Sequence, residues 1–281
     1  MQEKERGPLG PEDYAEMRCV LCGEPYGAET VRSVPQRRII EKMDAYMARR
    51  DYAGAERHLL YWLNEAELGC DGRGRLMLLG ELVGHYRKTG ERDKALRRVD
   101  ELLALVEALD FGATLSAGTA FVNAATALSA FGETERALAL FERARAVYEG
   151  AGAQTPPQDL GGLYNNMALA LAGLGRFAEA HALFDKATER MEQVPGGALE
   201  RAVTCLNRAD AVAAERGAEA GEAEIAALLD EAWALLHAPD VPQNGYCAFV
   251  YEKCAPGFSY YGRFADAMEL QKEAETLYEG A

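Results

Sequence analysis

Cys19 and Cys22 are the residues whose types and spacing point most directly to a chemistry, in the run Cys19-Val-Leu-Cys22-Gly-Glu-Pro-Tyr26. Two thiols two residues apart and followed by glycine suit a knuckle. Such a turn aims both thiolates at one metal while nearby backbone N–H groups stabilise them. A structural zinc needs four ligands, and the chain holds no second pair with this spacing. Completing ligands would have to come from Cys70, Cys247, a histidine or a second chain. A metal-free thiol or disulfide-capable pair accounts for the same spacing. A redox role asks for a strand–helix context, whereas a Pro-containing tail precedes this pair.

Other chemistry is thinly supplied. His58, His85, His181 and His237 stand alone, without the HExxH spacing that sets two imidazoles on one helix face. There is no GxSxG elbow and no phosphate loop. The Gly-rich run Cys70–Arg75, CDGRGR, lacks a Lys-Ser/Thr pair and reads as a linker. Carboxylates are plentiful, as expected on the solvated faces of an acidic helical protein. Cys205 and Cys254 fall on apolar positions and read as packing residues. The expectation is a protein that is not an enzyme.

Net charge is −15 and unevenly spread: residues 1–30 carry −4, residues 31–110 carry +1, and residues 111–281 carry −12. Nucleic-acid binding depends on clustered Lys and Arg, and anionic membranes attract basic segments; neither partner is expected. No apolar run approaches the roughly 18 residues that span a bilayer, and MQEKERGPLGPEDYAE has no apolar signal core. The expected location is cytoplasmic, with mostly reduced thiols.

The elements that must position any site repeat along the chain. Tyr164, Met167, Ala168 and Leu171 mark one helix face, Gly175 ends the helix, and Ala180, Phe184 and Ala187 form the stripe of a second. Leu79, Leu82, Val83 and Tyr86 precede Gly90 in the same way, followed by Ala95, Val99 and Leu102. Phe121, Ala124, Ala125 and Leu128 precede Gly132, then Ala137, Phe141 and Ala144. Tyr251, Cys254, Ala255 and Phe258 precede Gly262, then Phe264, Ala267 and Ala274. Two weaker copies begin at Ile39, with Arg50 in place of the turn glycine, and at Cys205, where GAEAGEAE lengthens the second helix or its loop. Equivalent positions lie 40, 42, 43, 41 and 46 residues apart.

This alternation of Ala with Phe or Tyr resembles the tetratricopeptide repeat over roughly residues 36–281. It is fullest in NAATALSAFGETERALALFERA and NNMALALAGLGRFAEAHALFDKA. A period of about 42 instead of 34 is similar to the long repeats of kinesin light chains and bacterial peptide-pheromone receptors. The resemblance implies an all-α, right-handed superhelical solenoid of about six helical hairpins. The expected organisation is a flexible tail over 1–16, a cysteine-containing segment over 17–35 and the repeat domain over 36–281. Gln271 replaces the Leu, Val or Phe of other copies, which fits a terminal cap.

The resemblance also implies a function: a non-catalytic scaffold that binds a protein or an extended peptide in a concave groove. A sensory regulator responding to a bound peptide, and a zinc or redox module at Cys19 and Cys22, are the alternatives. Asn123, Asn166 and Asn207 share one position in three successive first helices, a position that faces the groove in the family. An amide offers both donors and an acceptor, suiting a peptide backbone or a neighbouring helix. Glu81, Arg87, Lys88, Thr126, Ser129, Asp210, Lys253 and Tyr260 flank it, with Arg87 and Lys88 suited to a carboxylate. The repeat ends leave room for a homodimer. Elemental analysis of purified protein should return about one zinc per chain if the cysteine pair is a knuckle, or half that if two chains share the site. A metal-free preparation that keeps its fold under chelator rules zinc out.

Overall fold

Five of the six hairpins turn on a residue in the left-handed region, which most side chains resist and glycine does not. In the computed structural model, which describes residues 31–279 (the side chains of Ala48 and Glu279 excepted), those residues are Gly90, Gly132, Gly175 and Gly262, with φ between 73° and 82°. Arg50 does the same work in the first hairpin at φ 55°, confirming that the turn survives loss of the glycine.

Twelve helices follow among the described residues, with no strand. They fall into two units, divided between Gly112 and Ala113. The first unit contains α1 (Gln36–Ala48), α2 (Tyr52–Leu68), α3 (Gly72–Thr89) and α4 (Arg92–Ala108). The second contains α5 (Leu115–Ala130), α6 (Thr134–Ala151), α7 (Pro157–Gly173), α8 (Phe177–Met191), α9 (Ala198–Arg216), α10 (Glu222–Leu236), α11 (Gly245–Tyr260) and α12 (Phe264–Glu279). Within each unit, odd-numbered and even-numbered helices pair as hairpins, and each unit is an all-α stack of such hairpins. In the second unit α5, α7, α9 and α11 also pack against one another in succession.

The apolar grid forms the core as the repeat requires. Phe121, Ala124, Ala125 and Leu128 are buried, as are Tyr164, Met167, Ala168 and Leu171 and the corresponding residues of α3 and α11. The fourth residue of every second helix (Ala55, Ala95, Ala137, Ala180, Ile225, Ala267) is buried. The eighth (Leu59, Val99, Phe141, Phe184, Leu229) is buried too, except in α12, where Gln271 is exposed.

Three expectations need correction or refinement. Phe264, placed on the inner stripe, opens α12 and is 64% exposed, while Leu270 of the same helix is fully buried. The run Cys70–Arg75 is not a linker, because Gly72 is already helical. Asp71 caps α3 by accepting from Gly74 N–H at 2.9 Å, and its other oxygen accepts from Val34 N–H at 2.9 Å. In the fifth hairpin the extra residues are shared between the end of the first helix, with α9 running 19 residues, and the loop 217–221 that precedes α10, as expected for the loop but not for the second helix, which runs only 15.

One buried group in the first unit has no partner. His85 is 3% exposed and its Nδ1 makes no hydrogen bond among the described residues. Its ring packs near those of Tyr52 and Tyr86. Burial lowers its pKa; the carboxylates of Glu56 and Glu91 oppose that shift, and Lys94 and Lys88 add to it.

This packing carries two consequences for stability. Phe184→Ala opens a cavity at a fully buried position and should cost about 3–5 kcal/mol by denaturant titration; a loss below about 1 kcal/mol would refute its place in the core. For His85, the unfolded chain takes up a proton near pH 6.5, whereas the folded imidazole resists it to lower pH. Its contribution is therefore present above about pH 6.5 and lost as pH falls below that value. The urea midpoint of wild type should drop more between pH 7.5 and 5.5 than that of His85→Leu, and equal drops would dismiss the histidine as the cause.

Candidate functional site

The first helices of the second unit present a second face beside the core grid. On α7 it runs Gly162, Asn165, Asn166, Leu169; on α9, Glu200, Val203, Thr204, Asn207; on α11, Tyr246, Phe249, Val250, Lys253. Each set follows i, i+3, i+4, i+7, one stripe of a helix. Local chemistry fixes the start of α11, where Asn244 Oδ1 accepts from the N–H groups of Tyr246 and Cys247 at 3.0 and 3.1 Å.

These stripes meet around a cleft of about 130 Å³. Gly161 and Gly162 of α7 lie along it, with Met191 and Val203 supplying apolar walls. A Cβ on Gly161 would sit 2.8 Å from Met191 Cε, so close packing of α8 explains that glycine. A Cβ on Gly162 would meet nothing within 4 Å. Glycine inside a helix costs about 0.5–1 kcal/mol relative to alanine, and no neighbour in the fold requires this one.

The amides form a ladder across the wall. Asn166 Nδ2 donates to Thr126 Oγ1 of α5 at 3.3 Å, and that hydroxyl donates to Val122 C=O at 2.8 Å. Asn207 Nδ2 donates to Asn165 Oδ1 at 3.0 Å. Asn123 is half-buried and makes no side-chain hydrogen bond among the described residues. Asn165, Asn166 and Asn207 are also half-buried, so each amide borders both the helix layer and solvent. Lys253 occupies in α11 the grid position that Asn123, Asn166 and Asn207 hold in α5, α7 and α9. Asn165 is a member of the ladder that the repeat pattern misses; the doubled Asn165-Asn166 was its only signal.

Tyr246 and Phe249 were likewise missed. Their rings stack 6.3 Å apart at 27°, and they stay 49% and 41% exposed on the cleft wall. Tyr246 OH donates to Glu200 at 2.7 Å, bridging α11 to α9, and burial raises the phenol's pKa. The sequence signal was an i, i+3 aromatic pair off the core grid.

Glu81, Arg87 and Lys88 lie on α3 of the first unit. Burial, with help from Asp44, raises the Glu81 pKa. Arg87 and Lys88 are exposed in the last turn of α3, where cations complement the helix dipole. Lys88 Nζ stands 5.9 Å from the Tyr52 ring.

The thiols favour packing over chemistry. Cys205, Cys247 and Cys254 are buried, and burial pushes Cys205 and Cys254 up to about 12. A thiol held protonated is neither a nucleophile nor a ready metal ligand. Cys19 and Cys22 lie outside the described residues, and among those described no three His, Cys, Asp or Glu residues cluster as a metal site. Among them, too, no helix is long and apolar enough to cross a membrane.

Residues 74–150 and residues 161–196 each match a family model described as tetratricopeptide repeat. A solved structure of a Podosopora anserina protein, described as a kinesin light chain with nearly identical TPR-like repeats, is similar at 19% identity and TM-score 0.50; the match covers 72% of this chain and 94% of that one. A point variant of the same protein gives 18% identity and TM-score 0.51, covering 74% and 96%. BtubC (BKLC) from P. vanneervenii is similar at 15% identity and TM-score 0.48, covering 88% and 92%. No curated protein matches the chain.

Proposed function

We propose that this chain, of which residues 74–150 and 161–196 match tetratricopeptide repeat models, is a non-catalytic protein-interaction scaffold whose α7–α9–α11 wall binds an extended peptide. Stacked helical repeats characteristically offer an elongated surface for such partners. The observation that carries this reading is the half-buried amide ladder bordering the cleft.

An extended peptide leaves every second backbone N–H and C=O without a partner, and amides spaced along successive helices can meet them whatever the side chains are. Asn166 and Asn207 each retain a second N–H and spare carbonyl capacity beyond the ladder bond. Asn123 has its whole side chain available. Lys253 extends the same row with a cation that can meet a backbone carbonyl. The raised pKa values of Cys205 and Cys254 support a packing role for those two thiols.

A net hydrogen bond contributes about 0.5–1.5 kcal/mol. Single Asn123→Ala, Asn166→Ala and Asn207→Ala substitutions should therefore weaken a peptide selected from a random display library by roughly 2- to 10-fold, with unchanged circular dichroism. Fluorescence polarisation on a labelled peptide provides the measurement. Three variants that all bind as wild type would place the peptide elsewhere.

A further inference from the structure

The hollow above Gly162 has no structural explanation in the fold. Matched through the repeat grid, the position is Thr119 in α5, Gly162 in α7, Val203 in α9 and Phe249 in α11. Only in α7 does it lack a side chain, and there a Cβ would enter open space. Beside it stand Val203, Met191 and the exposed rings of Tyr246 and Phe249. Its 130 Å³ falls short of the roughly 300–1,000 Å³ typical of small-molecule sites. It is suited to one side chain of a chain whose backbone runs outside, past Asn165 and Asn166.

Charge narrows the occupant further. Glu200 and Lys253 both line the cleft. The second unit as a whole carries 12 Lys and Arg against 24 Asp and Glu. Such a field attracts cationic partners, speeds their approach and repels acidic ones.

We propose that the hollow over Gly162 is the anchor pocket for a single apolar side chain of a basic, extended peptide. This rests on the reading of the α7–α9–α11 wall as a peptide site. The aromatic pair and Val203 flank the apolar anchor, the amides meet the backbone on either side of it, and the acidic surface receives the flanking Lys or Arg. Gly162 is the specificity-determining position, because any larger residue there occupies the space of the anchor.

The test uses the full chain and three pools of labelled, acetylated and amidated peptides of about ten residues, the reach of an extended segment. One pool is Lys/Arg-rich with a single Leu, Ile, Met or Phe. A second keeps the bases without the apolar residue, and a third keeps the apolar residue among Asp and Glu. The first pool should bind about tenfold tighter than either other, and raising salt from about 50 to about 500 mM should weaken it. Gly162→Leu should lose about tenfold in affinity with no fall in thermal midpoint. Gly162→Met, with a more flexible chain, repeats the test should the leucine disturb the fold. Preference for the acidic pool, equal binding without the apolar residue, or unchanged binding by both Gly162 variants overturns the proposal. If such binding still falls on Asn166→Ala and Asn207→Ala, the peptide wall stands and only the anchor and charge assignment fail. If no pool binds, both fail.

Discussion

The structure depends on how closely two helices of a hairpin can approach. The fourth residue of each second helix is alanine in five hairpins and isoleucine in the α9–α10 hairpin, and all six are buried. A methyl group there lets side-chain ridges seat in the opposing grooves, at the short end of the 8–10 Å range of helix separations. The eighth residue, Leu, Val or Phe in the interior copies, then fills the gap that close approach leaves beside it. Neither works alone, since a large residue at the fourth position wedges the helices apart and a small one at the eighth leaves a void. Tyrosine hydroxyls add a second tie from three of the hairpins to the one before. Tyr86 donates to Glu56 of α2, Tyr164 to Glu149 of α6 and Tyr251 to the Leu236 carbonyl of α10.

That arrangement decides which residues are free to serve a partner. The core takes one face of each first helix, and the stripe beside it on α7, α9 and α11 is half-buried or exposed except at Thr204 and Val250. The two glycines of α7 separate the cases. Gly161 is fixed by Met191, while Gly162 meets nothing. Stability in a stack accumulates from each repeat and its neighbours, and the wall shares in it through the Asn166–Thr126, Asn207–Asn165 and Tyr246–Glu200 hydrogen bonds.

The fold was legible because its signals are local. A grid of apolar residues at helical spacing and a turn glycine specify a hairpin within about 40 residues, and Arg50 shows that the grid outweighs one missing turn residue. Asp71 was misread because glycines at 72 and 74 suggest a linker, although Asp before an apolar run is also a helix start. Phe264 was misplaced because the buried stripe of α12 begins only at Ala267 and runs on through Leu270 and Ala274. The amide positions were legible from their register, but their partners were not. Asn207 bonds Asn165, whose grid position holds Val122 in α5 and Leu206 in α9, so no repeat marks it. The cleft escaped notice for a related reason, since it is made by a missing side chain and by aromatic residues from a hairpin 85 residues away.

Energetics separate the work of the amides from that of the hollow. An asparagine that leaves Thr126 or Asn165 to meet a peptide exchanges one neutral hydrogen bond for another, and each is worth about 0.5–1.5 kcal/mol net. The balance of such an exchange is small. Burying an apolar side chain, by contrast, contributes about 1.5–3 kcal/mol and requires no bond to be broken first. On the proposed reading, affinity at this wall would come chiefly from the apolar anchor and the acidic field, while the amides would fix the direction and register of the backbone. A ladder already bonded to itself suits that role, because it holds the amides in place before the partner arrives. The ordering cost that a loose side chain would add on binding has then been met in folding.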